Sequence, residues 1–481
     1  MIRTFVLISG LLALTAVAAQ PDEPTADAAL IQNATKSAIA AAQYFHTDVA
    51  VHGGYVYKVT LDLKLRKGEG TASPTEVWVQ PPGTPTVGIA FLRAFEATGD
   101  PGLLVAATDC ARALLHGQLK SGGWTDRVDF DPKGKNTGLY RNGQGKAKGR
   151  DVSTLDDDKS QAAIRLLIEV DKALEFKDAA IHESVQYALD ALLKAQFANG
   201  GFPQGWSGPV EPGTVVKASF PEYDWRTEGR IKDYWDYETL NDGLAGTVTE
   251  TLQLADETYQ DDRYRDALLK FGDFLILAQL PEPQPAWAQQ YNHQLQPMWA
   301  RKFEPPAVVG RESEDAIATL MDLTEFSGER RFLEPIPAAI AWLKRSRLPD
   351  GQLARFYELK TNTPLYLKRD VYTLTYDDSD LPTHYGFKTD CRVDKLEARY
   401  HVLAAGGTPR VSKSNLKTLS KDVTRILSEL DPESRWITDQ NGDPVVDGAN
   451  LNPEELFLDS AVFSKNLSRL AEFLKVARTA K

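Results

Sequence analysis

Apolar positions along this chain recur every three to four residues in segment after segment, the spacing that gives an α-helix one buried stripe. The pattern predicts helices over 32–45, 87–98, 102–119, 159–174, 181–197, 243–258, 263–279, 313–326 and 336–346, with further helix between 393 and 481. Two-residue alternation is scarce, so long strands are not expected. The helices come in pairs, and the second of each pair runs out into a similar phrase: ARALLHGQLKSGGWTDR, DALLKAQFANGGFPQGW, DFLILAQLPEPQPAWAQQY and AWLKRSRLPDGQLARFY. Gln118, Gln196 and Gln279 hold one place in this phrase at intervals of 78 and 83 residues, and Arg347 holds it 68 residues further on. Weaker copies end in HGGYVYKV at 52–59 and SELDPESRWITD at 428–439. Such a period describes a helix hairpin with one long loop, a unit that buries its apolar face only against its neighbours.

An all-α fold follows, an (α/α) toroid of repeated hairpins with long functional loops and a few short strands. Closure is favoured over an open solenoid because it gathers the exit loops around one mouth, where loops that carry function belong. A single toroid domain over 20–481 is expected, since no shift in composition marks a second one. The longest loops are 203–238, 284–308 and 352–388. The stretch QPAWAQQYNHQLQPMWARKFEPPAV, at 284–308, has four prolines and two tryptophans, so it is neither regular helix nor solvated linker. Indole planes beside amide and guanidinium donors are what a sugar surface needs, because pyranose faces stack on rings while hydroxyls and carboxylates take the donors. Without sugar, the same residues would simply tack down a long loop.

Charge and the termini narrow the partners. The net charge of −12 argues against nucleic acid or an anionic membrane surface, either of which needs a broadly basic face. Residues 1–19 read as a signal peptide: Arg3, an apolar run from Phe5 to Leu14 too short for a membrane span, and an Ala16-Val17-Ala18 cleavage signal. A secreted or periplasmic protein without a membrane span is expected, and a monomer. The two cysteines, Cys110 and Cys391, lack metal-site spacing, and Cys110 reads as an apolar helix position.

Two acidic stretches precede predicted helices: Asp156, Asp157 and Asp158 in TLDDDKSQ, and Asp242 in YETLNDGLAG. Aspartates there ordinarily cap the helix and complement its dipole. Three in a row exceed that need, and a carboxylate cluster at one end of a toroid suits a hard cation such as Ca²⁺. Arginines stand on the longest loops at Arg301, Arg355 and Arg369. Cation, guanidinium forks and rings together suit an acidic polysaccharide.

These phrases, in the order TLDDDKSQAAIRLL, LLKAQFANGGFPQ, TLNDGLAGTVTETL, PAWAQQY, WARKFEPPAVVGRES and LPDGQLARFYELKTNTPLYLKRD, resemble the pectate lyases of polysaccharide lyase family 10 over roughly 85–390. The resemblance implies a toroid that cleaves polygalacturonate by calcium-dependent β-elimination. It implies Arg301 as catalytic base and Arg355 and Arg369 as clamps on substrate carboxylates. Asp156, Asp157 and Asp242 would hold Ca²⁺, and Asp156 and Asp242 would also serve substrate. Gln204 and Trp287 would complete the substrate contacts. The chain departs from the pattern at Asp157, where the family has asparagine, at Phe202, where it has tryptophan, and at Pro382–Phe387, which replaces a late arginine pair. Arginine is an awkward base, its pKa lying above about 12, so Lys159, Lys302 and His384 stand as alternatives. Two other readings keep the same residues: an inverting glycoside hydrolase with its two carboxyls about 6.5 to 9.5 Å apart, and a calcium-dependent glycan-binding protein without turnover.

Overall fold

The computed structural model describes residues 27–211, 213–227, 231–408, 415–439 and 455–479. The signal-peptide reading of 1–19 lies outside them. Twelve helices are described: α1 (Ala28–Tyr44), α2 (Thr84–Thr98), α3 (Pro101–Gly117), α4 (Lys159–Ala173), α5 (Ala179–Lys194), α6 (Leu244–Tyr259), α7 (Asp262–Ala278), α8 (Gly310–Ser327), α9 (Ile336–Ser346), α10 (Val393–Ala404), α11 (Leu416–Ser428) and α12 (Ser460–Thr479). The predicted bounds lie within a few residues of these.

The even-numbered helices form the inner wall of a toroid. From α2 to α10 each packs on the next, and α12 packs back on α2. The odd-numbered helices lie between and outside them, with α1 against α11 and α12. Closure is reinforced by strand Lys58–Thr60, which pairs antiparallel with Phe457–Asp459, and by Arg478 and Lys475 of α12, which bond to Ala97 O and Glu96 of α2.

The repeated glutamine has one job in every copy. Gln118 Nε2 donates to Gly122 O of its own exit loop and to Ser184 O of α5, both at 3.0 Å. Gln196 bridges Gly200 O and Ala267 O of α7, and Gln279 bridges Pro285 O and Pro335 O at the start of α9. Each glutamine therefore ties its loop to the next hairpin. Arg347, in the same place, reaches Asp394 of α10. The aromatic residue of the phrase turns inward and donates to a carbonyl at or near the end of its own outer helix: Trp124 to Leu114, Trp287 to Leu275, Tyr357 to Ser346 and Trp436 to Ile426. Tyr55 does the same to Phe45 O, just beyond α1. Two glycines are needed before the ring in the second copy. Gly200 has φ of 94°, and a Cβ on Gly201 would lie 2.8 Å from Phe274.

Outer helices α3, α5 and α7 open on aspartate caps, with Asp100, Asp178 and Asp261 accepting from the first-turn amides. Inner helices α4 and α6 open differently, through a turn of 3₁₀ helix at Asp156–Asp158 and at Asn241–Gly243, with no side-chain cap. Across the α4–α6 contact, Gln161 donates to Thr247 Oγ1 and Leu155 O, and Arg165 donates to Thr247 O, Thr251 Oγ1 and Asp158.

Candidate active site

The two inner-helix turns are copies of each other. Leu155 N donates to Gln204 O and Leu240 N to Gln289 O, both at 2.8 Å, while Thr154 and Thr239 hydroxyls donate to the same two carbonyls. In each copy two successive residues are left-handed: Asp157 and Asp158 at φ of 47° and 61°, Asp242 and Gly243 at 52° and 72°. Asp157 is thus the counterpart of Asp242, and Asp156 that of Asn241. Left-handed backbone at non-glycine residues is strained and clusters at functional sites. The aspartates are not caps.

Asp156, Asp157 and Asp242 each bring one carboxylate oxygen to within 4.8 Å of the other two. Burial pushes the Asp242 carboxyl well above its usual range, and repulsion from Asp157 and Asp156 adds to it. Burial likewise raises Asp157, with Asp156 as the next cause. Lys159 gives partial relief, its Nζ lying 2.7 Å from Asp156 and 3.5 Å from Asp157. Burial disfavours the Lys159 ammonium, but the two carboxylates outweigh it and hold the proton. Gln204 Nε2 donates to Asp156 at 2.6 Å, so Gln204 positions a carboxylate.

The residues fit a hard divalent cation. All three donors are oxygens that repel one another, the donor set such ions select. Two amides beside them leave a buried carbonyl oxygen without a donor: Asn241 Oδ1, whose nitrogen bonds Asp242, and Gln80 Oε1, whose nitrogen bonds Asp157. Gln80 is invisible as a site residue in the sequence, 77 positions from its partner.

Facing this cluster is a second network, built on the loop after Trp299. Glu304 is 2% exposed and takes three hydrogen bonds from Arg301, at N (3.0 Å), Nε (2.8 Å) and Nη2 (2.6 Å). Gln289 Nε2 and the Tyr385 hydroxyl donate to the same carboxylate at 2.8 and 2.9 Å. Burial would lower the Arg301 pKa, but the Glu304 hydrogen bonds and charge override it, so the guanidinium is held protonated. Arg301 also acts electrostatically on Asp156, Asp157 and Asp242.

Arg355 is 4% exposed, bonded to Glu312 (3.1 Å) and Gln289 (3.3 Å), with its guanidinium 4.2 Å from the Tyr385 ring. Such burial makes it a fixed positive charge behind the site. Arg369 stands on the exposed turn between strands Pro364–Leu367 and Leu374–Thr375, paired with Asp380 at 3.1 Å, and no described contact joins it to this network. Trp287, expected to contact substrate, is fully buried as the repeat's inward ring. Its hydrogen bond to Leu275 and its place in the core leave no face for sugar. The rings that do surround the loop are Phe303, Tyr372, His384 and Tyr385, with Phe303 at 5.0 Å from His384 and 4.9 Å from Tyr385. Tyr385 comes from the segment that departs from the family pattern, and it links the two arginines.

The family model described as Pectic acid lyase matches residues 118–354. No curated protein matches the chain. Among solved structures, the chain is similar to a mutant of a family 10 polysaccharide lyase from Cellvibrio cellulosa in complex with trigalacturonic acid (TM-score 0.46, 20% identity, 62% of this chain and 92% of that one). It is also similar to cellobiose 2-epimerase from Spirochaeta thermophila (TM-score 0.45, 16% identity, 94% of this chain and 99% of that one). The matched stretch 118–354, which contains Asp156, Asp157, Asp242 and Arg301, belongs to the pectic acid lyase family, and the protein is a polysaccharide lyase.

Proposed function

We propose that this is an exported pectate lyase that cleaves polygalacturonate by β-elimination and works with Ca²⁺ held by Asp156, Asp157 and Asp242. The observation that carries the reading is the convergence of three half-buried, mutually repelling carboxylates with an arginine gripped by a buried glutamate. The leader-like residues 1–19 support export.

Elimination from a 4-linked uronate removes the proton on C5, moves that electron pair into a C4–C5 double bond, and expels the C4 oxygen with the pair of the broken C4–O bond. Charge builds on the substrate carboxylate as the proton leaves. When bound, Ca²⁺ supplies neutralisation of that charge. Arg355 adds a fixed positive field that needs no rearrangement during the reaction, and Gln204 and Lys159 keep Asp156 in place. Arg301 is assigned the C5 proton. Glu304 holds its side chain in one position, as a near-attack geometry requires, at the cost of stabilising the protonated form. Only a small free-base fraction exists near neutrality, so turnover must rise with pH. The leaving oxygen takes its proton from water.

The test is ultraviolet absorbance on polygalacturonate, with and without a chelator. A 4,5-unsaturated product that disappears on chelation and returns with Ca²⁺ is expected. Reducing ends without unsaturation would replace the lyase by a hydrolase, and binding without product would leave a lectin.

A further inference from the structure

Beside the Arg301 loop lies a pocket of about 640 Å³, walled by Arg226, Trp299, Lys302 and the hairpin turn at 370–374. The volume falls in the range of roughly 300–1,000 Å³ usual for ligand sites. Its two cations differ in kind. Arg226 is already committed, donating to Glu358 at 2.6 Å and lying over the Trp225 ring. The Lys302 ammonium lies 3.9 Å from the centre of the Tyr372 ring, and among the described residues no carboxylate comes within ion-pair distance of it. A cation held over an aromatic face is pre-positioned and still lacks an anion. Asp370, exposed at the rim, supplies acceptors suited to hydroxyls. Lys302 is the chain neighbour of Arg301, so the pocket adjoins the place where the scissile residue would sit.

We propose that this pocket is a subsite for a further uronate of the same polysaccharide strand, with Lys302 as the counter-ion of its carboxylate and Asp370 accepting from its hydroxyls. The proposal rests on the polygalacturonate reading above. It makes Lys302 a residue of substrate specificity, one that favours de-esterified over methyl-esterified chains, because a methyl ester has no charge to pair.

Binding of saturated oligogalacturonates of increasing length to the full-length wild type and to Lys302→Met, measured by calorimetry, tests it. Methionine keeps the apolar stem and removes only the charge. For the wild type, affinity is expected to step up at the length that first fills the pocket. In Lys302→Met that step should shrink by about five-fold, the scale of one partly exposed ion pair, and Lys302→Arg should restore it. Parallel curves for wild type and Lys302→Met would overturn the proposal. So would an equal loss with a methyl-esterified oligomer. A wild type that binds these oligomers with the step but forms no unsaturated product would refute the lyase reading and leave the subsite standing.

Discussion

The Arg301–Glu304 fork yields a stability measurement with a definite size and pH signature. Glu304 is buried, whereas the Arg301 side chain is 36% exposed, so the pair sits between two regimes. Surface pairs contribute at most about 1 kcal/mol, whereas removing one partner of a buried pair costs about 3–5 kcal/mol. Discounting for the wetted guanidinium, we expect a coupling of about 2 kcal/mol from the cycle wild type, Arg301→Met, Glu304→Gln and the double variant at pH 7. Burial raises the Glu304 carboxyl, but the Arg301 hydrogen bonds and charge outweigh it and depress its folded pKa below 4.5. A depressed carboxyl contributes stability that is present above its unfolded value and lost as pH falls through its folded value. The coupling should therefore be constant from pH 5 to 8 and shrink below about pH 4.5. Urea unfolding at several pH values is the assay. A coupling under about 0.5 kcal/mol at pH 7, or one unchanged at pH 3, would show that the fork is not the restraint described.

If Arg301 takes the C5 proton, kcat/KM should climb roughly tenfold per pH unit through the alkaline range with no plateau between pH 6 and 8, and Arg301→Lys should be inactive. A plateau in that interval would refute Arg301 as the base. Asp157→Asn and Asp242→Asn are the informative ligand variants, because asparagine tolerates the left-handed backbone at φ of 47° and 52°. Asp242→Asn should raise the Ca²⁺ concentration for half-maximal activity by more than the ~10–100-fold typical of losing an outer-shell partner, and Asp157→Asn, which restores the asparagine of the family pattern, by less, both with little change in melting temperature. Trp287→Phe should leave KM unchanged and cost about 1–3 kcal/mol in unfolding, since it strands the Leu275 carbonyl in the core; a raised KM with unaltered stability would restore a substrate-contacting role.

Helices and the ring were legible because a helix with one buried face repeats its apolar residues, and because Gln118, Gln196 and Gln279 recur at nearly equal intervals. What the exit phrases do was not legible. A Gly-Gly-aromatic phrase reads equally well as a sugar platform or as an inward staple, and only the bond from Trp287 to Leu275 decides between them. Gln80, Glu312 and Tyr385 were missed as members of the networks. Their partners lie at least 43 positions away, and no local pattern marks an amide, a carboxylate or a phenol as belonging to a distant charge.

One carboxylate group hangs from the turn before α4 and the other from the turn before α6, so the width of the ion's seat is set by the distance between two wall helices. The site behaves as a calliper whose jaws are neighbouring repeats and whose pivot is the set of bonds from Gln161 and Arg165 to Thr247 and Thr251. Spreading α4 from α6 opens the jaws without altering any residue that touches the ion or the sugar. A cation bound by all three carboxylates would close them and clamp two repeats together. Ion binding and the cohesion of that arc of the ring are then one equilibrium, and heat should release the ion before it unfolds the helices.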